Sequence, residues 1–227
     1  MRLHSYHVDD QTIKAIESKC TRVQKELPGL SEGRGRVVLV PQITQRDLLR
    51  LSQMAFSGYV EVGGDADKVS QTINQSLQNS VNSITVCLTT RTFTAIDAAH
   101  VLIDQFEVGF ALNPLKREKI ITALHEGILR GIIYNLELCP WAKELSDLPI
   151  FFDMFYTRIA DIGYGRRRIT VVIDGDAENV SFTVAIDPAV RVEETDDEKR
   201  ALIEAVADKV SISNNGQAIT ATFKNHN

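Results

Sequence analysis

The apolar positions of this chain change their spacing from segment to segment, and those changes mark out its elements. Over residues 9 to 27, Ile13, Ile16, Cys20, Val23 and Leu27 recur at three- and four-residue steps. That spacing predicts an amphipathic helix, capped by Asp9 or Asp10 and stopped by Pro28-Gly29. A short buried strand follows from Arg36 to Pro41, and a second helix opens at Thr44 and runs through Asp47, Leu48, Leu51 and Met54. Gly58 to Gly64 reads as a strand and turn, and residues 65 to 77 put Val69, Ile73 and Leu77 on one helical stripe. His4 and His7 fall in an N-terminal strand. Strands alternating with helices in this way predict a parallel sheet with right-handed crossovers.

The polar run from Asn79 to Ser83 divides the chain into residues 1–80 and 81–227. Beyond it, Ile84 to Thr90 alternates as a half-buried strand, and Thr94 to Phe110 reads as a helix with Ala95, Ala98, Ala99, Leu102, Ile103 and Phe106 inward. Asn113-Pro114 opens the longest helix, Leu115 to Leu138, with Ile120, Ile121, Leu124, Ile128, Ile132 and Ile133 on a wide apolar face. An aromatic insertion, Pro149 to Tyr164, precedes two alternating strands, Arg168 to Ile173 and Val180 to Ile186. A helix from Asp196 to Val210 and a hairpin around Asn215-Gly216 close the chain. Helices first, then an antiparallel sheet interrupted by one helix, predict a two-layer α/β sandwich.

Composition narrows the classes of function. The 227 residues are 44% hydrophobic and 24% charged, as in ordinary globular proteins, with a net charge of −5. That balance argues against a nucleic-acid footprint, and Arg166-Arg167-Arg168 reads as a solvated turn before a strand. No apolar stretch approaches the roughly 20 residues that span a bilayer, and the first residues begin no secretory leader, so a cytoplasmic location is expected. The three cysteines, Cys20, Cys87 and Cys139, have no paired spacing and read as small buried hydrophobes, and no metal site is expected.

The chemistry concentrates in residues 124 to 135, Leu-His-Glu-Gly-Ile-Leu-Arg-Gly-Ile-Ile-Tyr-Asn. This helix, the Arg166 to Val171 strand entry, and the closing Ala207 to Val210 with Asn214 to Thr220 resemble the histidine-kinase-like ATPase fold over residues 84 to 224, and within it the anti-sigma-factor serine kinases. Arg36 to Leu77 is similar to the second half of a response-regulator receiver domain, although no Lys follows its late strand. The resemblance implies a fold class of a partial receiver-like βα segment joined to a sandwich of the ATPase type.

Within that family a Glu acts on the attacking water, and an Asn four residues later holds magnesium. Here the pair is Glu126 and Arg130, and a fixed cation repels magnesium and can pair with Glu126 across one helical turn. The family's Asp-x-Gly-x-Gly matches Asp187-Pro188-Ala189-Val190-Arg191, where the Asp stays and both glycines are lost. Its second glycine motif has become Asp197-Glu198-Lys199, inside the acidic run from Glu193 to Glu198. Acidic groups there repel a triphosphate of about −4, and the run also reads as a solvated helix start. Glu126, Arg130, Asp187, Ala189, Arg191, Asp197 and Lys199 are thus vestigial positions of a nucleotide site, with no catalytic residue and no cofactor expected. Asp187 also reads as an end-of-strand turn residue, and His125 as a packing residue of its helix.

Trp141, Phe151, Phe152, Phe155 and Tyr156 are candidate partner contacts, or else core. The resemblance implies a catalytically silent signalling protein that binds a regulator, a sigma factor or an anti-anti-sigma-like factor, and forms a homodimer. Two alternatives stay open: an active ATP- and magnesium-dependent Ser/Thr kinase with an unusual pocket, and a phosphotransfer adaptor. The adaptor requires an exposed histidine on a helical hairpin, for which His100 and His125 are the candidates.

Overall fold

The structure is a computed structural model that describes residues 2–19, 23–29, 35–63, 69–70, 72–74, 82–138, 145–192, 198–213 and 215–225. One mixed sheet of nine strands organises it: β1 Arg2–Ser5, β2 Val23–Gln24, β3 Arg36–Val40, β4 Gly58–Glu61, β5 Ser83–Thr89, β6 Arg168–Gly175, β7 Asn179–Ala185, β8 Lys209–Ser213 and β9 Ala218–Lys224. Their order is β2-β1-β3-β4-β5-β6-β7-β9-β8, parallel through β5 and antiparallel from there. The chain is therefore of the α/β class. The proposed division at residue 80 falls outside the described residues, and β4 and β5 on either side of it are hydrogen-bonded neighbours with Gly58 opposite Thr85.

The helices are α1 Asp10–Glu17, α2 Gln45–Ser52, α3 Thr90–Phe93, α4 Ala98–Glu107, α5 Pro114–Asn135, α6 Leu148–Ala160, α7 Ile162–Gly165 and α8 Glu198–Val206. Residues 69, 70 and 72–74 are also helical. Ile13 and Ile16 of α1, with Val69 and Ile73, cover one face of the parallel strands through Leu3, Val37, Leu39 and Val60. The other face carries the larger core, in which Val38, Phe56 and Tyr59 join Leu102, Phe106, Leu124, Phe182 and Phe223. The parallel strands are thus covered on both faces. In the antiparallel half, Thr170, Ser181, Thr183 and Thr220 stay half-exposed opposite the core.

Several expectations are corrected by tertiary pairing. The helix expected over residues 9 to 27 ends at Glu17, because Val23 pairs with Leu3 in β2 and its N–H donates to the Glu17 carboxylate at 2.8 Å. Cys20 and Cys139 lie outside the described residues, whereas Cys87 is buried. The strand at Ile84 to Thr90 is buried on both faces: Ile84, Val86 and Leu88 enter the larger core, while Cys87 faces Thr72 at 3.9 Å. The helix expected from Thr94 to Phe110 is the shorter α4, Ala98–Glu107, held at its start by the Gln45 side chain on the N–H of Asp97 at 2.7 Å, and the separate short helix α3, capped by Thr89, precedes it. The helix expected to reach Val210 stops at Val206, where Asp208 N–H turns to the Thr222 carbonyl and β8 pairs with β9. The crossovers are not all of one hand. The connections β3–α2–β4 and β4–β5 step the same way along the sheet, yet α2 packs on the face of Val38 and Val40, and Val69 and Ile73 pack on the face of Val37 and Leu39. Opposite faces with the same step mean opposite hands. The face that the second connection would otherwise take is occupied by α4 and α5.

Candidate functional site

The long helix α5 is set against the sheet by its own sequence. The Asn113 side chain accepts the N–H of Leu115 at 3.0 Å, and Pro114 sits in the first turn where no donor is needed. Two glycines bring it close, since a Cβ on Gly127 would lie 3.1 Å from Val184 and one on Gly131 would lie 3.3 Å from Ile169. At its far end Glu137 takes a left-handed conformation, φ 53°. The N–H of Leu138 returns to Ile133 at 3.0 Å and that of Glu137 to Tyr134 at 2.9 Å, a Schellman ending usually made by glycine.

Glu126, Arg130 and Tyr134 follow one another at four-residue steps on α5. Arg130 is 2% exposed; its Nη2 donates to the carbonyl of Gly216 at 2.9 Å, and its guanidinium lies 4.5 Å from the centre of the Tyr134 ring. Gly216 has φ +86°, and a Cβ there would come 2.7 Å from Val192. Opposite α5, the run after β7 is tied down. Asp187 is buried; its Oδ1 accepts the N–H of Ala189 at 3.0 Å, making the turn at Pro188. Gln217 Nε2 donates to the carbonyls of Pro188 and Val190, at 3.0 and 2.7 Å. Val190 is thereby sunk into a small cluster with Tyr134, Ile186 and Val192.

Arg130 and the Asp187 turn are thus tied to neighbouring residues of one hairpin, Arg130 to Gly216 and the turn to Gln217, while Glu126 lies one turn before Arg130 on α5. Ala189 and Arg191 face solvent on the Asp187 turn. Asp197 and Trp141 lie outside the described residues, and Lys199 falls within α8. His125, expected to pack, is 63% exposed, because its position on α5 faces away from the sheet that buries Leu124 and Ile128.

One residue of this neighbourhood escaped the sequence. Asn135 is completely buried; its Nδ2 donates to Thr90 Oγ1 at 2.9 Å and to the Arg168 carbonyl at 3.0 Å, and its Oδ1 accepts the N–H of Asp187 at 3.2 Å. It pins the start of α3, the start of β6 and the end of β7 to the last turn of α5. A lone Asn closing an apolar helical run was the available signal. The arginine run before β6 is likewise structural in two of its three members. Arg167 reaches the carbonyl of Asn135 at 2.6 Å and Glu137 at 2.8 Å, and Arg168 reaches the Gly63 carbonyl at 2.7 Å, leaving Arg166 in solvent.

The aromatic helix α6 divides its side chains. Phe151, Phe155 and Ile159 pack on the core, while Phe152 is 49% and Tyr156 66% exposed, with Ile150 and Met154 also outward. Among the described residues no helix is long and apolar enough to cross a membrane. Searches against protein-family models and against curated proteins find no match to this chain.

Proposed function

We propose that this chain is a catalytically silent relative of the anti-sigma-factor serine kinases, acting by protein binding in bacterial signal transduction or transcription control. The observation that carries the reading is Arg130. At the position where the resembled family holds magnesium, a guanidinium is buried and bonded to Gly216. A fixed cation in that place opposes a divalent metal, and a triphosphate without its metal has little to hold it there. The Gln217 contacts that sink Val190 beside Tyr134 support the same reading, since this turn is held by side chains where the resembled family has glycines.

On this reading the exposed flank of α6, with Phe152 and Tyr156, serves as a contact for a protein partner, either a second copy or a regulator of the sigma or anti-anti-sigma type. The receiver-like character of the N-terminal half is part of the proposal, and the parallel order β2-β1-β3-β4-β5, a doubly wound arrangement, supports it.

Calorimetric titration with magnesium-ATP tests it. No heat of binding at millimolar nucleotide is the expected result, and submillimolar binding overturns the silent reading in favour of a kinase.

A further inference from the structure

We propose that Asn215 is a site of spontaneous modification, at which its side-chain amide closes on the backbone nitrogen of Gly216, loses ammonia and hydrolyses to isoaspartate or aspartate. The reaction belongs to the hairpin between β8 and β9 and holds whether or not the chain binds a nucleotide.

Local geometry carries the inference. Asn215-Gly216 is the one Asn-Gly pair in the sequence, and it stands in the hairpin loop with φ of 54° and 86° at its two residues. Asn215 is exposed, and among the described residues neither its side chain nor the Gly216 N–H makes a hydrogen bond. Electrophile and nucleophile are thus adjacent, uncommitted and wetted, and Gly216 has no Cβ to obstruct ring closure. Asn113, Asn135 and Asn179 are placed otherwise. Asn113 precedes Pro114, which has no N–H to lose; Asn135 is buried with both amide atoms bonded; Asn179 precedes Val180, a β-branched residue inside β7.

In the step, water or hydroxide takes the proton of the Gly216 N–H and the nitrogen attacks Asn215 Cγ. The Cγ–N bond of the side-chain amide breaks, and ammonia leaves with a proton from water. Water then opens the cyclic imide. Attack at Cγ breaks the newly formed bond and gives aspartate. Attack at the main-chain carbonyl carbon breaks the original peptide bond and gives isoaspartate, whose main chain runs through Cβ and Cγ. Nothing is oxidised or reduced.

The isoaspartate matters because of what the next two residues hold. The Gly216 carbonyl accepts from buried Arg130 at 2.9 Å. The Gln217 carbonyl accepts the Ile186 N–H at 2.9 Å, and its side chain donates to the carbonyls of Pro188 and Val190. An extra methylene in the main chain just before them shifts both residues off these partners, and Arg130 loses a bond in a dry place. Modification at residue 215 therefore loosens the hairpin from both α5 and the Asp187 turn.

The test is to age the full chain in mildly alkaline buffer and follow every asparagine by peptide mapping, with electron-transfer fragmentation to tell isoaspartate from aspartate. Conversion at Asn215 is expected ahead of every other asparagine, faster as the pH rises, and suppressed in Asn215→Gln, whose longer side chain closes far more slowly. The isoaspartate form, separated by ion exchange, is expected to melt about 4–8 °C below the parent and to exchange the Ile186 amide hydrogen faster. Asn215→Asp, which carries the charge without the lengthened main chain, is expected to match the parent in both readouts. Conversion at Asn215 no faster than at the other asparagines overturns the proposal. An isoaspartate form with the parent's melting and exchange, or an equal loss in Asn215→Asp, overturns the loosening of the hairpin.

Discussion

At the scale of single residues, Asn135 and Gly216 show how a side chain in one element fixes several others. Asn135→Ala removes both donors and the acceptor, leaving the Thr90 hydroxyl, the Arg168 carbonyl and the Asp187 N–H without their buried partner. A loss of about 2–4 kcal/mol is expected in urea unfolding, and a loss below about 0.5 kcal/mol would show that the three bonds carry no net weight. Gly216→Ala meets two obstacles, a φ of +86° and Val192 at 2.7 Å, so destabilisation by about 2 kcal/mol is expected by the same measurement. Such roles are hard to read from a sequence. The Asn-Gly pair identified the hairpin, since a positive φ at both positions is what those residues tolerate. That the Gly216 carbonyl would hold Arg130 depends on two segments 86 residues apart meeting at the sheet. For the same reason, i, i+4 spacing could suggest Glu126 as a partner for Arg130 but could not foresee Gly216 as one.

Elements whose ends carry their own signals were legible, and those ended by a partner were not. The start of α2 is written in Thr44 and Asp47, which form a capping box in which each side chain answers the other's backbone. Asp47 also accepts the hydroxyl of Tyr6 at 3.0 Å. The Thr44 hydroxyl bond, followed by the Tyr6 hydroxyl and the Thr44 N–H, holds the Asp47 carboxyl below its ordinary range. Because the folded value is depressed, this contribution is complete above the unfolded carboxylate value of 3.8 and is lost as pH falls through the folded one. Asp47→Asn is therefore expected to flatten the fall of stability between about pH 5 and 2, measured by thermal melts across that window. A slope matching the parent chain would count against it. By contrast, the ends of α1 and α8 were missed because Val23 and Val210 keep helical spacing while their backbone pairs with β1 and β9. In α6 the spacing left core and contact roles open, and the structure packs some of these side chains on the core and leaves others in solvent. Arg158 clasps the carbonyls of Leu136 and Glu137, Arg91 clasps Ile159 and Ala160, and Phe155 rather than Phe152 faces the core. Phe155→Ala should cost about 2 kcal/mol and Phe152→Ala less than about 1 kcal/mol in chemical denaturation, and equal costs would remove Phe152 from the proposed contact surface.

For the whole molecule, the consequence of β5 is cooperativity. A polar run between two periodic segments is a sound reason to divide a chain, and local pattern shows no more than that. Which strand lies beside β4 is set by long-range pairing, which leaves no mark on periodicity. β5 pairs with β4 on one edge and with β6 on the other, so the hydrogen-bond ladder passes through it without interruption. The larger core crosses the same line. Phe56 and Tyr59 from the N-terminal part pack with Leu102, Phe106 and Phe182, and Gln105 joins them by accepting the Tyr59 hydroxyl and donating to the Phe56 carbonyl. Unfolding residues 1–80 alone would strip one edge of β5, expose the apolar side of α4 and leave Gln105 with no partner in a dry site, at a cost comparable to the stability of a small domain. The two parts are accordingly expected to melt as one unit. Scanning calorimetry should give a single peak whose calorimetric and van't Hoff enthalpies agree, with near- and far-ultraviolet circular dichroism falling together. Two resolved transitions, or a folded fragment of residues 81–227 as stable as the full chain, would mean that the β4–β5 seam contributes nothing. In that case the N-terminal strands would have to be treated as a separate folding unit.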